Sequence, residues 1–228
     1  MQHGAANPSQ DGGGRAVRMS RHDPATAGGP TGRPDVRILT SRLRLAEVSE
    51  ADEAELHALH SDPRAFVEDS TDPLTDRAQM RWVLAQWRES WARHGLGHLT
   101  VRAREGADLP GGLLGVVGLV PLAGATTASP SGTVLSAYWR LHPEATGLGI
   151  ATEAMRAVLG TLPTGTPHGG STPRDGTTPE IVAITARGNT ASLALASRLG
   201  FRPAPPGRPV PGGRADDVLL LLDPSASA

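Results

Sequence analysis

The hydrophobic residues of the chain follow two spacings, and the first, every second position, predicts strands. In VRILTSRLRLAEV, Leu43 and Leu45 alternate with Arg42 and Arg44, as in one strand with a single buried face. GHLTVRARE and GGLLGVVGLVPL predict two strands joined by a turn at residues 106–112, and the second is apolar on both faces, which indicates the middle of a sheet. Later strands are predicted in TVLSAYWRLHP, EIVAITAR and DDVLLLLD.

The second spacing, every third or fourth position, predicts helices. Ser49 and Asp52 resemble a capping box that opens a short helix in SEADEAELHALHSD. A second helix follows Pro73 and Thr75. One face of this helix is apolar and is expected in the core, its tryptophans included: Met80, Val83, Leu84, Trp87 and Trp91.

Two more helices are predicted towards the end of the chain. The third starts at Ala151 and has one buried face, made of Ala154, Met155, Val158, Leu159 and Leu162. The fourth lies in TASLALASRL, where Asn189 is its N-cap and Gly200 ends it, with Phe201 packed behind.

Several segments lack apolar periodicity. Residues 1–35 are rich in Gly, Pro, Ala and small polar residues, and we expect a disordered tail there. Residues 163–179 are expected to form a flexible insertion, at the end of the sheet away from the start of the third helix, and residues 224–228 a short C-terminal tail. RPAPPGRPVPGG has too many prolines for a central strand. The remaining pattern predicts one α/β domain over residues 36–223.

Composition excludes several classes of function. The 228 residues contain no cysteine, which excludes disulfides, thiolate zinc sites and a cysteine nucleophile. The net charge of -1 and the absence of a dense basic run argue against a nucleic-acid or polybasic membrane partner, so a small molecule or peptide is expected. No stretch resembles a membrane span or signal peptide, and we expect a cytoplasmic protein.

The junction EATGLGIATEA, residues 144–154, places Gly147 and Gly149 where a strand gives way to a helix. Unpaired amides and partial positive charge at a helix start favour an anion, and glycines let it approach closely. A Walker loop is excluded because the turn has no lysine, and a dinucleotide fingerprint because Thr152 stands at the third glycine position and the acidic residue about twenty positions on is lacking. A phosphate site and a tight turn whose glycines serve only strand-helix packing both remain possible interpretations.

Two motifs in order, HPEATGLGIATEA and NTASLALASRLGF, resemble the acetyl-CoA loop and the Asn-x-x-Ser helix of the GNAT N-acetyltransferases. Within that family the chain is most similar to the RimJ/RimL branch, which acetylates the N-termini of ribosomal proteins, over residues 37–222. The resemblance implies a mixed, mostly antiparallel sheet with a central V-shaped splay and helices on both faces. It also implies acetyl-CoA as cosubstrate, a primary amine as acceptor and no metal.

The resemblance implies a set of cofactor contacts. Backbone amides around the turn would hold the CoA pyrophosphate, from Gly147, Leu148, Gly149, Ile150, Ala151 and Thr152. The splayed end of the preceding strand, around Leu141 and His142, would pair with the pantetheine arm, and Asn189 would contact the cofactor while capping its helix. The sequence departs from the family at Thr146, where relatives usually have Gln or Arg.

The catalytic groups are less complete than in many relatives. The position where they carry a proton-donating tyrosine is Ala196, and the only tyrosine is Tyr138, on a strand. Ser192 matches the serine that RimL-like enzymes are thought to use, so we expect it to meet the CoA thiolate. The alternative is a serine that satisfies amides in the first turn of its helix. Asn189 is its expected catalytic partner.

The general base is open among four side chains, each of which could also be an ordinary surface residue: Glu68, Asp69, His142 and Glu144. A free α-amine is deprotonated at pH 7 for about 1.4 kcal/mol and a lysine for about 4.6 kcal/mol, so a weak base favours an α-amine acceptor. HALHSD could be drawn as a metal site, but a solvated helix end is the better interpretation of its polar residues: His57, His60 and Asp62.

These observations predict acetyl transfer to a primary amine, a protein N-terminus or a small molecule, by direct attack in a ternary complex. The alternative is a non-catalytic acyl-CoA-binding or sensing module of the same fold, and an oxidoreductase lacks its fingerprint. Residues 66–74 and 203–215 are expected to wall the acceptor pocket. A monomer and a homodimer are both compatible with the sequence.

Overall fold

The computed structural model describes residues 36–122, 132–162 and 179–223. The predicted tails at 1–35 and 224–228 lie outside the described residues, as does the insertion except for Pro179. The strands are β1 (Val36–Leu39), β2 (Leu43–Glu47), β3 (His98–Ala103), β4 (Leu113–Pro121), β5 (Val134–Leu141), β6 (Glu180–Ala186), β7 (Phe201–Pro203) and β8 (Asp217–Leu222). The helices are α1 (Glu53–Ser61), α2 (Arg77–His94), α3 (Ile150–Leu159) and α4 (Thr190–Arg198).

The eight strands of the described residues form one sheet in the order β1-β2-β3-β4-β5-β6-β8-β7. Its pairs are antiparallel except for β5 and β6. The apolar strand β4 lies in the middle, as its sequence predicts, and the proline-containing β7 lies at an edge. β8 is the last strand in the chain but lies between β6 and β7.

The prediction of a single strand at the start of the domain is wrong. The segment folds as a hairpin, β1 and β2, in which the backbone N–H of Thr40 donates to the carbonyl of Leu43 at 3.0 Å. The turn lacks Gly, Pro, Asn and Asp, so no sequence signal marked it. The predicted alternation in the second half holds, since Leu43 and Leu45 are fully buried.

A splay opens between β5 and β6, and it confirms the predicted V. The two strands pair in parallel only from Val134 to Ala137 on β5, against Glu180 to Ala183 on β6. Beyond Ala137, β5 remains paired to β4, while β6 turns to pair with β8. The carboxyl-terminal halves of the two central strands are therefore separated, and the gap is open to a ligand.

Helices cover both faces of the sheet. On one face, α1 and α2 pack over a core with the fully buried side chains of Leu56, Leu59, Met80 and Val116. On the other, α3 and α4 pack over a larger core that includes Ile150, Met155, Leu195 and Leu45. Trp87 and Trp91 are half-buried and pack against the core, as predicted.

The helix ends follow their local sequence signals. The carboxylate of Asp52 accepts hydrogen bonds from the backbone N–H and hydroxyl of Ser49, each at 2.8 Å, as the capping box predicts. Asn189 accepts from the backbone N–H of Ser192 at 2.9 Å and is the N-cap of α4, which ends with Gly200 at φ 91°. Both ends of α3 differ from the prediction, because the helix begins at Ile150, one residue before Ala151, and ends at Leu159, so that Leu162 lies beyond it.

Candidate active site

A groove of about 1180 Å³ opens at the splay. Predicted site residues from the turn and the start of α3 line it: Gly147, Gly149, Ile150, Ala151 and Thr152. β5 and α4 contribute the predicted Leu141, Asn189 and Ser192. Two predicted residues lie outside this lining, His142 and Leu148. The fold therefore brings the two sequence motifs, about forty residues apart, to the lining of one groove.

The two glycines of the turn are required by the backbone itself. Gly147 and Gly149 both have φ of 76°, a left-handed conformation that side chains disfavour. Apart from its two chain neighbours, no atom of the described residues lies within 4 Å of the position that a Cβ of Gly147 would take. Strand-helix packing therefore does not explain Gly147, which instead leaves open space over the turn.

The first amides of α3 are available to a ligand. The N-cap, Gly149, has no side chain to accept from them. The first turn closes when the N–H of Glu153 donates to the carbonyl of Gly149 at 3.0 Å. Within the described part of the chain, the N–H groups of residues 150–152 have no acceptor. Unpaired N–H groups and the partial positive charge of the helix start make this end of the groove a site for an anion.

The hydroxyl of Ser192, in the first turn of α4, belongs to a residue that lines the same groove. The indole Nε1–H of Trp139 donates to Ser192 Oγ at 3.1 Å. An oxygen that accepts this bond directs its own hydrogen elsewhere, so the serine remains a donor. The indole edge of Trp139 packs on Phe201, with ring centroids 6.2 Å apart. Sequence reasoning missed Trp139, because no local pattern links a strand residue to a helix 53 positions later.

The strand next to the gap presents unpaired backbone groups. The N–H of His142 donates to the carbonyl of Leu114 at 2.9 Å, towards β4. Residues alternate along an antiparallel strand, so Trp139 and Leu141 direct their N–H and C=O groups to the other side, into the splay. β6 has already diverged there, and these groups can pair with an extended ligand chain.

The four side chains considered as general base have different surroundings. The His142 ring contacts the carboxylate of Glu144 through Nδ1, and Glu144 forms an ion pair with Arg64 at 2.9 Å. His142 and Glu144 line a separate pocket of about 360 Å³. Backbone hydrogen bonding and the Arg64 guanidinium hold the pKa of Glu144 below its ordinary value, which weakens it as a base.

Asp69 and Glu68 both line the groove but differ in their partners. Asp69 pairs with Arg140 at 2.6 Å; burial raises its pKa, but the Arg140 charge and Thr71 hydrogen bonds outweigh burial and lower it. The Glu68 carboxylate accepts from the hydroxyl of Thr190 at 3.3 Å, and no cation of the described residues forms an ion pair with it. Of these two carboxylates, Glu68 is therefore the one that is not paired with a cation of the described residues.

Arg140 fixes the loop that carries these two acids. Its guanidinium donates to the carbonyl of Ala65 at 2.6 Å and lies 3.8 Å above the ring of Phe66. Of the residues 66–74 that were expected to wall the acceptor pocket, Val67, Glu68 and Asp69 line this groove. Residues 203–215 do not line the groove; Arg214 instead donates to the backbone carbonyl of Ser70 and braces the loop from outside.

The remaining polar residues considered from sequence lie elsewhere. The Tyr138 hydroxyl is 3.1 Å from His60 Nε2, under α1 on the other face of the sheet. Ala196 is fully buried in the core. Asp62 pairs with Arg64 at 2.7 Å, and among the described residues His, Asp and Glu form no group of three or more placed to hold a metal ion. None of the helices in the described part of the chain has the length and apolarity that crossing a membrane requires.

Arg42, which the sequence did not single out, holds the glycine turn at Leu148 and the first turn of α3. Arg42, between β1 and β2, donates from Nε to Glu153 at 2.7 Å and from Nη2 to the carbonyl of Leu148 at 3.2 Å. The partners are 111 and 106 positions away in the chain. Arg42 and Glu153 also line the groove.

Comparison with known sequences supports the assignment that this geometry suggests. A family described as "Acetyltransferase (GNAT) domain" matches residues 42–202. The chain belongs to the GNAT family of acetyltransferases. The family and enzyme class predicted from the two motifs, an N-acetyltransferase, are confirmed. No curated protein shows significant sequence similarity to this GNAT chain.

Solved structures share the GNAT fold at low sequence identity. The acetyltransferase from Agrobacterium tumefaciens str. C58 is 21% identical, with a TM-score of 0.58 over 84% of this chain and 99% of that one. Mycobacterium smegmatis RimJ, in complex with CoA-disulfide, is 18% identical, with a TM-score of 0.56 over 80% and 82%. Vibrio cholerae spermidine N-acetyltransferase, in complex with CoA and spermine, is 16% identical, with a TM-score of 0.54 over 80% and 95%.

Proposed function

We propose that this GNAT enzyme transfers the acetyl group of acetyl-CoA to a primary amine by direct attack in a ternary complex. The observation that carries the proposal is the pairing, across one groove, of unbonded amides at the start of α3 with the Ser192 hydroxyl at the start of α4. In acetyl-CoA the diphosphate and the thioester sulfur lie far apart in one extended molecule. The α3 amides suit the diphosphate, and the Ser192 hydroxyl suits the sulfur.

Several groups of the groove fit CoA. Residues 150–152 would donate their N–H groups to the pyrophosphate, in the open space over Gly147. Backbone groups of Trp139 and Leu141 would pair with the pantetheine amides, while His142 would contribute through the strand end alone, since its N–H is bonded to β4. Thr146 bonds the carbonyl of Pro143 at 2.7 Å, so the position usually held by Gln or Arg in relatives contributes no long polar side chain to the cosubstrate.

The chemistry places one proton donor and one acceptor around the acyl group. Acetyl-CoA supplies a thioester, whose C–S bond breaks as the amine nitrogen bonds to the acetyl carbon. Ser192, oriented by the Trp139 indole, donates a proton to the leaving sulfur and recovers one from solvent. Asn189 holds the Ser192 backbone in place through its cap. A neutral amine loses one proton as the amide forms, which balances the proton gained by the thiol. An acceptor that enters as an ammonium ion first gives up one further proton, which a base of the groove accepts and passes to solvent.

We assign that amine proton to Glu68. It lines the groove, contacts the first turn of α4 and has no cationic partner among the described residues. An ammonium group entering the groove would meet its charge first. The alternatives are weaker, since Asp69 is neutralised by Arg140, and Glu144 is paired with Arg64 and has its pKa held below the ordinary value.

An exposed carboxylate is a weak base, and this favours acceptors that lose a proton easily. Deprotonation at pH 7 takes about 1.4 kcal/mol for an α-amine and about 4.6 kcal/mol for lysine. We therefore propose a peptide N-terminus, as for RimJ and RimL, ahead of a lysine side chain. A small-molecule amine is the second candidate, since a polyamine is bound in one enzyme of the same fold.

The proposal is tested by mixing the purified chain with acetyl-CoA and a panel of amines and measuring thiol release. The panel contains a peptide with a free N-terminus, the same peptide N-acetylated but with a lysine, and spermine. Turnover with the highest kcat/KM on the free N-terminus supports the proposal. Binding of acetyl-CoA with no turnover on any acceptor would instead favour the non-catalytic module, and a lysine preference would refute the acceptor class.

A further inference from the structure

The Arg42 side chain joins three parts of the groove. It extends from the turn between β1 and β2 and donates from Nε to the Glu153 carboxylate at 2.7 Å. Its Nη2 donates to the carbonyl of Leu148 at 3.2 Å and lies 3.6 Å from the position that a Cβ of Gly149 would take. One guanidinium therefore contacts the glycine turn and the first helical turn of α3 together.

Glu153 would oppose an anion if it were alone. It lies in the first turn of α3, one residue after the three free amides, and lines the same groove. Burial raises its pKa, but hydrogen bonds from Thr40 and Arg42 outweigh burial and lower it, so the carboxylate is charged at neutral pH. A negative charge at this position repels a diphosphate unless a cation compensates for it.

The surrounding contacts make this pair a fixed unit. The hydroxyl of Ser41 and the backbone N–H of Arg42 donate to Glu153 Oε1 at 3.2 and 3.1 Å. The Arg42 side chain is 41% exposed, but that of Glu153 is 18% exposed. Glu153 is thereby saturated with donors, and the guanidinium is held with one edge towards the turn.

We propose that Arg42 is a positioning residue for the diphosphate of the cosubstrate: it neutralises Glu153 and holds the Leu148 carbonyl, so that the amides of α3 meet the anion. The inference rests on the proposed acetyl-CoA site. Arg42, near the start of the domain, thereby joins the site that the two sequence motifs form in its second half. In this proposal Arg42 acts on the diphosphate of the cosubstrate and not on its 3′-phosphate.

The test is isothermal titration of CoA and dephospho-CoA, with pantetheine as a third ligand, into the full chain. For Arg42→Ala we expect the Kd of CoA and of dephospho-CoA to rise by the same factor, about tenfold, with pantetheine unaffected. Arg42→Lys should lose less affinity than Arg42→Ala, because lysine supplies the positive charge without the guanidinium's paired hydrogen bonds to Glu153 and Leu148. In kinetics, the KM for acetyl-CoA rises while kcat changes less than twofold.

Arg37→Ala is the matched control. Arg37 lies on the same hairpin, forms an ion pair with Glu47 at similar exposure and does not line the groove. We expect its CoA affinity to equal that of the wild type. A second variant, Arg42→Ala with Glu153→Ala, removes the uncompensated charge, and it should bind CoA more tightly than Arg42→Ala alone. Melting temperatures of all variants separate loss of fold from loss of binding.

The outcomes separate this inference from the proposed function. A wild-type chain that binds no CoA contradicts the proposed function. If the wild type binds CoA and Arg42→Ala binds it equally well, the role of Arg42 is wrong while the proposed function stands. A loss that disappears with dephospho-CoA would also overturn the inference, because Arg42 would then serve the 3′-phosphate.

Discussion

Trp139 Nε1 donates to Ser192 Oγ at 3.1 Å, from the last part of β5 to the first turn of α4, across the point where the central strands diverge. The bond ties the orientation of the serine hydroxyl to the strand that faces the groove. No local sequence pattern links the two residues, which are 53 positions apart in the chain. Together they place a hydroxyl group in the groove, where we propose that the thioester sulfur binds.

Ser192→Ala should lower kcat about 100-fold, because the leaving thiolate loses its proton donor. The Kd for acetyl-CoA should change little, since the phosphate end of the site is untouched. Ser197→Ala, an exposed serine on the same helix, is the control and should retain full activity. Steady-state kinetics on the best acceptor measures both, and an unchanged kcat in Ser192→Ala would contradict the assigned role.

Trp139→Phe should give an intermediate loss of kcat, because the ring still packs on Phe201 but no longer donates to Ser192. The pH profile separates this effect from damage to the fold. With the serine free to rotate, kcat should fall at every pH tested without a shift of the apparent pKa values. A Trp139→Phe enzyme as fast as the wild type would show that the bond is dispensable.

Gly147→Ala should weaken acetyl-CoA binding about 10- to 100-fold, because a methyl group in a left-handed backbone displaces the turn and fills the space of the diphosphate. Gly207→Ala is matched to it: φ is 84°, and no atom lies within 4 Å of its Cβ position. Both variants should lose about 1–2 kcal/mol of stability, but only Gly147→Ala should lose affinity in calorimetry. Equal affinities would return Gly147 to a purely structural role.

Local signals in the sequence predicted the parts of the fold that neighbouring residues decide. The cap of Asn189, the end of α4 at Gly200 and the junction at Gly147 and Gly149 all follow from residue type and spacing. The apolar character of β4 was enough to place it in the middle of the sheet. The hairpin before β2 was missed, because a turn without Gly, Pro, Asn or Asp has no signature.

The contacts that complete the site could not be predicted, because they join distant parts of the chain. Arg42 reaches Glu153 across 111 positions, and Arg140 reaches Asp69 across 71. Each pair depends on which strands are adjacent and on how far the sheet splays. Three acids and one histidine were therefore equivalent as candidate bases in sequence, and geometry distinguished Glu68 as the acid that forms no ion pair among the described residues.

Glu68→Gln should raise the KM for the amine acceptor about tenfold and lower kcat, since both the ammonium contact and the proton acceptor are lost. The KM for acetyl-CoA should remain within twofold. Asp72→Asn is the control, an exposed acid of the same loop. Should both variants behave alike, the charge of the loop rather than Glu68 itself would be responsible.

Acid should destabilise the protein through two buried histidines. Burial lowers the pKa of His60 to about 4 and that of His98 to about 3, from an ordinary 6.5. The unfolded chain binds these protons first, so stability is full above pH 6.5 and is lost as the pH falls towards the folded values. Each histidine should cost about 2 kcal/mol between pH 7 and 5, which urea unfolding at a series of pH values measures.

His98→Phe isolates one of these two contributions. The His98 ring stacks on Trp87 at 4.0 Å, and its Nδ1 has no hydrogen-bond partner among the described residues, so an apolar ring can take its place. The decline in unfolding free energy between pH 7 and 5 should then be about half that of the wild type. An unchanged decline would mean that His98 is not the group that acid charges.

The account depends above all on backbone amides at the start of α3 holding the phosphate end of acetyl-CoA. Hydrogen-deuterium exchange with and without acetyl-CoA tests this directly. Peptides covering residues 147–153 should exchange more slowly when the cosubstrate is present. The exchange of peptides from α2 should be unchanged. Exchange at 147–153 that is insensitive to saturating acetyl-CoA, or protection confined to another part of the chain, would contradict it.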